Sequence, residues 1–268
     1  MADPQGSARL DAALAERGLA RSRTHAARLI SDGLVTVDGK PAPKPSAKVR
    51  GDQSVGVAGG DHYVSRGAHK VIAALDGFGI EPAGRVALDA GASTGGFSQV
   101  LLERGAAHVL AIDVGHGQLD AEIQDSVRVT SIEGFNIRDI TRDWLRSALP
   151  TPEFPTLVVA DLSFISLTMV LEPLHDAVGP AADYIVLIKP QFEVGRTGIR
   201  EGIVRDARLR ADAAAHVLWA AWDLGLPTAG IIPSPIAGTA GNREYLAWLS
   251  ASAGSNPAEW LPRIDAME

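Results

Sequence analysis

The chain has 268 residues, of which 32 are Asp or Glu and 25 are Lys or Arg, giving a formal net charge of −7. It contains no Cys, which excludes thiolate nucleophiles, Cys-ligated zinc and disulfide frameworks, and which fits a cytoplasmic location. No run of about 20 uncharged apolar residues is present to span a bilayer, and the N-terminus lacks the basic and apolar segments of a secretory signal.

The first predicted elements are two short helices and a hairpin. ARLDAALAERGL, residues 8–19, has the apolar spacing of an amphipathic helix. SRTHAARLISDG, residues 22–33, predicts a second helix with Ser22 as its N-cap. LVTVDGKPA then alternates and turns at Asp38-Gly39, which is typical of a hairpin. The apolar positions expected to face inward are Leu10, Ala13, Leu14, Ala26, Leu29 and Ile30.

Charge is divided unevenly along the chain. Residues 7–50 sum to +5, whereas residues 51–268 sum to −11. A basic head on an acidic body indicates that the head meets a polyanion, although a solvated helical face is the plainer alternative. The order of elements over residues 7–57 resembles the small αL RNA-binding fold of RNA-modifying enzymes. That resemblance implies RNA contacts from Arg9, Arg21, Ser22, Arg23, Arg28 and Lys40.

A stretch rich in Pro and Gly, residues 41–64, separates the head from the rest of the chain. Its first part is expected to complete the small domain as irregular strands, because Val49, Val55 and Val57 need a core. The predicted division is an αL RNA-binding domain at 7–60, a short linker at 61–65 and a catalytic domain at 66–268.

The body alternates strands and helices, which predicts an α/β domain with a largely parallel sheet. The predicted strands are 85–90, 108–113, 127–132, 156–161, 184–189, 228–234 and 243–249. The predicted helices are 67–78, 95–104, 166–178 and 206–224. Seven strands after an N-terminal helix, with the last two not separated by a helix, is the Rossmann-like plan of S-adenosylmethionine-dependent methyltransferases.

The stretch LDAGASTGGF, residues 88–97, predicts a Gly-rich turn between a strand and a helix. Its G-x-x-x-G-G spacing differs from the dinucleotide fingerprint, and a turn without a ligand is the plainer reading. Asp113 closes the next strand, where doubly wound folds place a carboxylate on ribose hydroxyls. The turn and Asp113 together favour a nucleotide-like cofactor.

Four charged residues are expected to meet in one crevice. Asp161 and Lys189 end neighbouring strands, Lys70 lies in the helix before the Gly-rich turn, and Glu244 falls in the last strand. Two Lys and two carboxylates suit removal of a proton from a ribose hydroxyl, since a partly desolvated Lys can act as base. Each residue also has a plain reading, as a solvated Lys, a surface Glu or an N-cap.

Six segments, in order, carry a resemblance to a known family: SRGAHK (65–70), DAGASTGGF (89–97), DVGHGQL (113–119), ADLSFISL (160–167), IKPQFEVG (188–195) and GNREYLAWL (241–249). Behind an RNA-binding head, they resemble the TlyA family of ribosomal RNA 2′-O-methyltransferases, whose catalytic domain is similar to the FtsJ type. The resemblance implies that the Lys-Asp-Lys-Glu catalytic tetrad is Lys70, Asp161, Lys189 and Glu244.

The family resemblance also implies a cofactor, a substrate and a phenotype. S-adenosylmethionine is expected to lie over the Gly-rich turn, and the substrate to be cytidine ribose in small- and large-subunit ribosomal RNA, within ribosomes or their subunits. Members of the family sensitise ribosomes to capreomycin-class antibiotics. The expected cofactor-binding residues are Asp89, Gly91, Ala92, Ser93, Thr94, Gly95, Gly96, Phe97, Asp113, Asn136 and Asp161.

Other functions stay open at this stage. A non-catalytic RNA-binding assembly factor could keep the same fold as a scaffold, and family members have carried a haemolysin name, although no amphipathic basic segment supports a pore. The seven His show no ligand-like spacing, so no metal site is expected. A local basic patch is expected to meet RNA beside the crevice, from Arg66, Lys70, Arg196, Arg200 and Arg205.

Overall fold

The computed structural model describes residues 7–20, 22–42, 44–57, 62–195, 199, 201–238 and 241–268. Contacts divide the chain into a smaller unit that ends at His62 and a larger unit that begins at Tyr63. Each unit has its own core of buried apolar side chains. The residues Arg21, Arg196 and Arg200, expected to contact RNA, lie outside the described ranges.

The smaller unit contains two helices and five short strands. In chain order they are β1 (Ala8–Arg9), α1 (Leu10–Glu16), α2 (Arg23–Ser31), β2 (Val35–Val37), β3 (Lys40–Pro41), β4 (Lys48–Val49) and β5 (Val55–Val57). β1 pairs with β4, and β2 pairs with both β3 and β5, all antiparallel. This small α+β arrangement is the one predicted for the head of the chain.

Local sequence explains these elements. The Ser22 hydroxyl accepts a hydrogen bond from the His25 N–H at 3.1 Å and caps α2, as predicted. Asp38 and Gly39 both have positive φ, at 50° and 75°, as the two-residue turn between β2 and β3 requires. The predicted helix over 8–19 was wrong at both ends, because Ala8–Arg9 pair as a strand and the helix stops at Glu16.

The larger unit alternates strands and helices. Its strands are β6 (Val86–Ala90), β7 (His108–Asp113), β8 (Val129–Glu133), β9 (Leu157–Ala160), β10 (Asp183–Ile188), β11 (Thr228–Pro233) and β12 (Tyr245–Leu249). Its helices are α3 (Gly67–Phe78), α4 (Gly96–Glu103), α5 (Ala121–Gln124), α6 (Arg142–Ala148), α7 (Leu171–Val178), α8 (Pro190–Glu193), α9 (Ala207–Asp223) and α10 (Leu261–Ala266). Short 3-10 helices lie at Ile137–Asp139, Leu167–Met169 and Pro257–Glu259.

These seven strands form one sheet in the order β11-β12-β10-β9-β6-β7-β8. β12 runs antiparallel to both of its neighbours, and the other pairings in the sheet are parallel. Side chains alternate across the sheet, so that Leu88 and Val158 join one apolar core while Ala87 and Val159 join the other. The predicted seven-stranded α/β fold is confirmed.

The differences from the predicted elements are local. The helix predicted over 166–178 is interrupted after the 3-10 turn Leu167–Met169, and the strand predicted from 127 begins at Val129. Val64, placed in the predicted linker, is buried in the larger unit, and its N–H donates to Gln99 Oε1 at 2.8 Å. The division between the two units, after His62, falls inside the predicted linker at 61–65.

Candidate active site and cofactor cleft

The topology of the larger unit explains how four distant residues meet. Asp161 and Lys189 directly follow the parallel strands β9 and β10, so they lie at the same edge of the sheet. Because β12 is antiparallel to β10, Tyr245 pairs with Ile188, which brings Glu244 to that edge as well. Glu244 precedes β12, although the sequence analysis placed it inside the strand. Lys70 enters from α3.

The four side chains form an unbroken row of alternating charge. Glu244 Oε2 lies 2.7 Å from Lys70 Nζ, and Lys70 Nζ lies 3.7 Å from Asp161 Oδ2. Asp161 Oδ1 lies 2.6 Å from Lys189 Nζ. The side chains are only 2% (Glu244), 9% (Lys70), 20% (Asp161) and 10% (Lys189) exposed, so all the charges are largely out of water. Pairing offsets the desolvation of each charge, and with all four groups ionised the net charge of the row is zero.

The loop after Asp161 adds residues that the sequence analysis did not assign. Lys189 Nζ donates a hydrogen bond to Ser163 Oγ at 2.9 Å, so the end of the row has a neutral hydroxyl partner. Phe164 has a left-handed φ of 66° and is 92% exposed, with its ring 5.4 Å from that of Phe192. The sequence did offer a signal for the contact between Ser163 and Lys189, because Ser163 lies two positions after Asp161 in the segment ADLSFISL.

The Gly-rich turn is built against the same loop. Gly91 has φ +85°, and a Cβ at this position would lie 2.7 Å from the Asp161 carbonyl oxygen. Any side chain on Gly91 would therefore push the turn away from Asp161. Its N–H donates to the Ile112 carbonyl at 2.8 Å, which ties the turn to the end of β7.

Asp113 organises the next part of the edge. Its Oδ2 accepts from the Ser93 N–H at 2.8 Å, and its Oδ1 accepts from the Gly115 N–H at 2.7 Å. Each carboxylate oxygen has a second lone pair, so Asp113 can still accept hydrogen bonds from ribose hydroxyls. Asn136 Oδ1 accepts from the Arg138 N–H at 3.1 Å and starts a 3-10 turn, which leaves its side-chain NH₂ as a donor.

A cleft of about 1030 Å³ lies along this edge. The expected cofactor-binding residues that line it are Gly91, Ser93, Asp113, Asn136 and Asp161. Ile112, Phe135 and Ile137 supply an apolar wall, and the Phe135 ring stacks on Trp144 at 3.9 Å. A carboxylate for hydroxyls, a side-chain amide and an apolar wall fit an adenosine-like group, so these residues suit the expected cofactor.

The remaining residues expected to bind the cofactor do not line the cleft: Asp89, Ala92, Thr94, Gly95, Gly96 and Phe97. Asp89 is fully buried beneath the turn, and its Oδ2 accepts from Ser98 Oγ at 2.7 Å. Burial, together with the nearby charges of Asp161 and Asp113, raises the pKa of Asp89 to about 7. Its Oδ1 has no hydrogen-bond partner among the described residues.

Two of the expected glycines serve packing. A Cβ on Gly96 would collide with Ser65 Oγ, and one on Gly95 would lie 2.8 Å from Leu119 Cδ1. Both glycines therefore let α4 approach neighbouring segments of the protein. Only the first Gly of the turn lines the cleft, and the sequence pattern alone could not separate these two uses of Gly.

The expected RNA-binding residues lie on both units. In the smaller unit, Arg9 and Arg23 both contact Asp11, while Lys40 is exposed on β3. The Ser22 hydroxyl is occupied in capping α2, and Arg28 is half-buried on that helix. In the larger unit, Arg66 lies at the start of α3.

Metal sites and membrane-spanning helices are absent from the residues that the structure describes. Within them, no cluster of His, Asp or Glu has an arrangement that could hold a metal ion. Over the same described ranges, no helix is both long enough and apolar enough to cross a membrane.

Arg205, expected in a basic patch, forms an exposed ion pair with Glu201 at 2.9 Å.

Comparison with known proteins gives matches for both units. Residues 63–251 match the FtsJ-like methyltransferase family and residues 8–55 match the S4 domain. The chain is 47% identical over 245 residues to the 16S/23S rRNA (cytidine-2′-O)-methyltransferase TlyA of Mycobacterium tuberculosis, covering 90% of this chain and 89% of that protein. It is 37% identical to Hemolysin A of Brachyspira hyodysenteriae, covering 89% and 98% respectively. A solved structure from Streptococcus thermophilus has TM-score 0.75 and 33% identity, covering 97% and 94%.

Proposed function

The chain belongs to the TlyA family of FtsJ-like methyltransferases and uses S-adenosylmethionine, and we propose that its acceptor is the ribose 2′-oxygen of cytidine in small- and large-subunit ribosomal RNA. The relatives from Mycobacterium tuberculosis and Campylobacter jejuni carry a ribosomal RNA cytidine-2′-O-methyltransferase name. The S4 match supports RNA as the partner of the smaller unit. Cytoplasmic ribosomes would then be the target, with capreomycin susceptibility as the phenotype that the family implies.

The observation that carries this proposal is the row of alternating charge. A ribose hydroxyl is a very weak acid, so methylation of its oxygen needs a base that is close and partly desolvated. Lys189 is at one end of the row, with Asp161 on one side and Ser163 on the other. Glu244, at the other end of the row, is the most buried of the four, and Lys70 lies between it and Asp161.

The proposed mechanism assigns one proton transfer to the row. S-adenosylmethionine supplies an electrophilic methyl group when it is bound, with Asp113 and Asn136 as the residues that would hold its adenosine part. Lys189, in its neutral form, takes the 2′-hydroxyl proton at Nζ, while the ribose oxygen would bond to the methyl group as the bond from that group to the cofactor's sulfur breaks. The ammonium that results is stabilised by its contacts with Asp161 and Ser163. Alignment of the reacting atoms supplies much of the remaining rate.

The two units divide the work in this proposal. The domain at 66–268 holds the cofactor and the catalytic row, and the αL domain at 7–60 adds RNA affinity and register. The charge difference between the two parts of the chain supports this division, since residues 51–268 sum to −11 and would repel RNA over much of their surface.

The proposal is tested with purified small and large ribosomal subunits, radiolabelled S-adenosylmethionine, and the wild-type and Lys189→Ala proteins. Nuclease digestion and mass spectrometry then locate the methyl group in the RNA. We expect label on cytidine 2′-oxygens with the wild type and none with the variant, while the affinity of the variant for the cofactor stays within a few-fold.

Each other outcome contradicts a named part of the proposal. Label on a base contradicts the acceptor atom, and loss of cofactor binding in Lys189→Ala contradicts the role of that residue. A wild-type protein that binds cofactor yet labels neither the subunits nor free ribosomal RNA would favour the assembly-factor alternative.

A further inference from the structure

The smaller unit contains one acidic side chain that is held between two cations. Arg9 donates to Asp11 through two nitrogens, from Nε to Oδ1 at 3.0 Å and from Nη2 to Oδ2 at 2.8 Å. Arg23 Nη2 approaches the same Oδ2 at 3.5 Å. The side chain of Asp11 is 8% exposed, whereas those of Arg9 and Arg23 are 48% and 62% exposed. The acid is therefore inside and the cations are outside.

The contacts with Asp11 occupy only part of the donor set of each guanidinium. Arginine has five N–H donors in a rigid plane, and Asp11 uses only two of those on Arg9. Because both Nη2 atoms contact one oxygen, at 2.8 and 3.5 Å, they lie no more than about 6.3 Å apart. Two planar cations at this separation can contact the same phosphate group. The spacing of the N–H donors of a guanidinium matches the spacing of phosphate oxygens.

The charge of Asp11 is unfavourable for RNA binding by itself. The Arg9 hydrogen bonds, followed by smaller contributions from the Ala12 N–H and the Arg23 charge, lower the pKa of Asp11 to about 2, so it stays ionised at neutral pH. A permanent negative charge under a surface that meets a polyanion reduces affinity if charge alone matters.

We propose that Asp11 is a positioning residue of a phosphate site, holding the guanidinium groups of Arg9 and Arg23 side by side so that both contact one phosphate of the RNA. The proposal rests on the proposed function, since it takes RNA as the partner of the smaller unit. It assigns to Asp11 a role in binding that acts only through the two arginines.

The test is a substitution that makes the smaller unit more positive and yet is expected to weaken its binding to RNA. Asp11→Asn in the full-length protein raises the charge of residues 7–50 from +5 to +6. Charge counting predicts tighter binding of purified ribosomal subunits. Positioning predicts binding that is weaker by about tenfold, with the slope of log affinity against log salt reduced by about one, as for one lost phosphate contact.

Glu16→Gln is the matched control, because it removes one acid from the other end of the same helix, where the side chain is exposed. It is expected to leave the affinity unchanged or to raise it slightly. A helix-stabilising role of Asp11 alone would lower the thermal midpoint without changing the salt slope. If Asp11→Asn folds and binds RNA as tightly as the wild type or more tightly, the proposal is overturned.

A second set of variants shows whether Asp11 acts through the arginines. In a protein that already carries Arg9→Ala and Arg23→Ala, Asp11→Asn should change the affinity less than about twofold, since the groups it positions are gone. A loss of the same size in both backgrounds would overturn the proposal. If Asp11→Asn does not fold, Arg9→Lys decides, because it keeps the charge and loses the two-point contact. Unchanged binding by Arg9→Lys would then overturn it.

Failure of this proposal and failure of the proposed function give different results. A wild-type protein that does not methylate or bind ribosomal subunits contradicts the function itself. A wild-type protein that methylates ribosomal RNA, with an Asp11→Asn variant of equal affinity, contradicts only the phosphate site.

Discussion

The two units each contain an Asp between two cations, but the cations differ in type and exposure. In the smaller unit, Asp11 contacts Arg9 and Arg23, which extend into solvent. In the larger unit, Asp161 contacts Lys70 and Lys189, which are almost fully buried. A guanidinium does not lose its proton at accessible pH, whereas an ammonium can. The first arrangement therefore suits binding, and the second suits proton transfer.

The distribution of lysine along the chain follows the same distinction. Residues 51–268 contain fourteen Arg and only two Lys, and the two Lys are Lys70 and Lys189. The structural cations of the larger unit are arginines, such as Arg85 with Asp183 and Arg210 with Glu268. In this part of the chain, both lysines lie in the row that we propose takes a proton from the ribose.

The largest expected effect comes from replacing the proposed base, Lys189, with a cation that stays protonated. Lys189→Arg keeps the positive charge next to Asp161 but removes the ability to accept a proton, so methyl transfer should fall by about a thousandfold or more. Single-turnover methylation of ribosomal subunits measures the chemical step.

Lys189→Ala is the companion variant, and we expect both to be similarly inactive while cofactor affinity stays within a few-fold. If Lys189→Arg keeps a tenth or more of the wild-type rate, the residue acts through its charge. The proposed difference between the two units, in which arginines bind and a lysine transfers a proton, would then be contradicted.

A smaller effect is expected from the buried end of the row. Glu244→Gln removes the carboxylate charge that lies 2.7 Å from Lys70, leaving that ammonium to draw Asp161 away from Lys189. We expect kcat to fall by about ten- to a hundredfold, and the free energy of unfolding to drop by roughly 3 kcal/mol because a buried charge loses its partner.

Glu201→Gln is the matched control for this change. It removes the same kind of group from the pair with Arg205, in which both side chains are exposed, and should change stability by less than about 0.5 kcal/mol. Equal effects of the two substitutions would show that burial does not distinguish the row from surface ion pairs.

The sequence predicted which charged residues lie at the ends of the strands better than it predicted the contacts that those residues make. Asp161 and Lys189 could be placed because apolar runs ending in a charged residue mark the edge of a parallel sheet. The meeting of Glu244 with Lys70 required the antiparallel register of β12, which the alternation of elements does not specify. Their convergence on one crevice was predicted, while the order of contacts within it was not.

The Gly-rich turn shows why the rest could not be predicted. Six of the residues quoted from it lie outside the cleft, since Gly95 and Gly96 allow packing and Asp89 points inward. A glycine required by a ligand and one required by a neighbouring helix are identical in a sequence. The role of Asp11 was likewise invisible, because an acid in the first turn of a helix is usually explained by the helix itself.

The smallest expected effect concerns Asp89, a buried acid that has no ion pair among the described residues. Its folded-state pKa, about 7, exceeds the value near 4 of an unfolded chain, so its contribution to stability is fully present at low pH and is lost as pH rises through about 7. Asp89→Asn cannot ionise and can still accept from Ser98. The stability of Asp89→Asn relative to the wild type should therefore increase by roughly 2 kcal/mol between pH 5 and pH 8.

Denaturant unfolding at both pH values measures this difference, and Asp11→Asn is its control. Because the arginines lower the pKa of Asp11 to about 2, the stability that this carboxylate contributes is complete above about pH 4 and is lost only as pH falls towards 2. The Asp11→Asn difference should therefore be the same at pH 5 and pH 8. Parallel behaviour of the two variants would contradict the view that neighbouring cations, and not burial alone, decide how an acid is used in this protein.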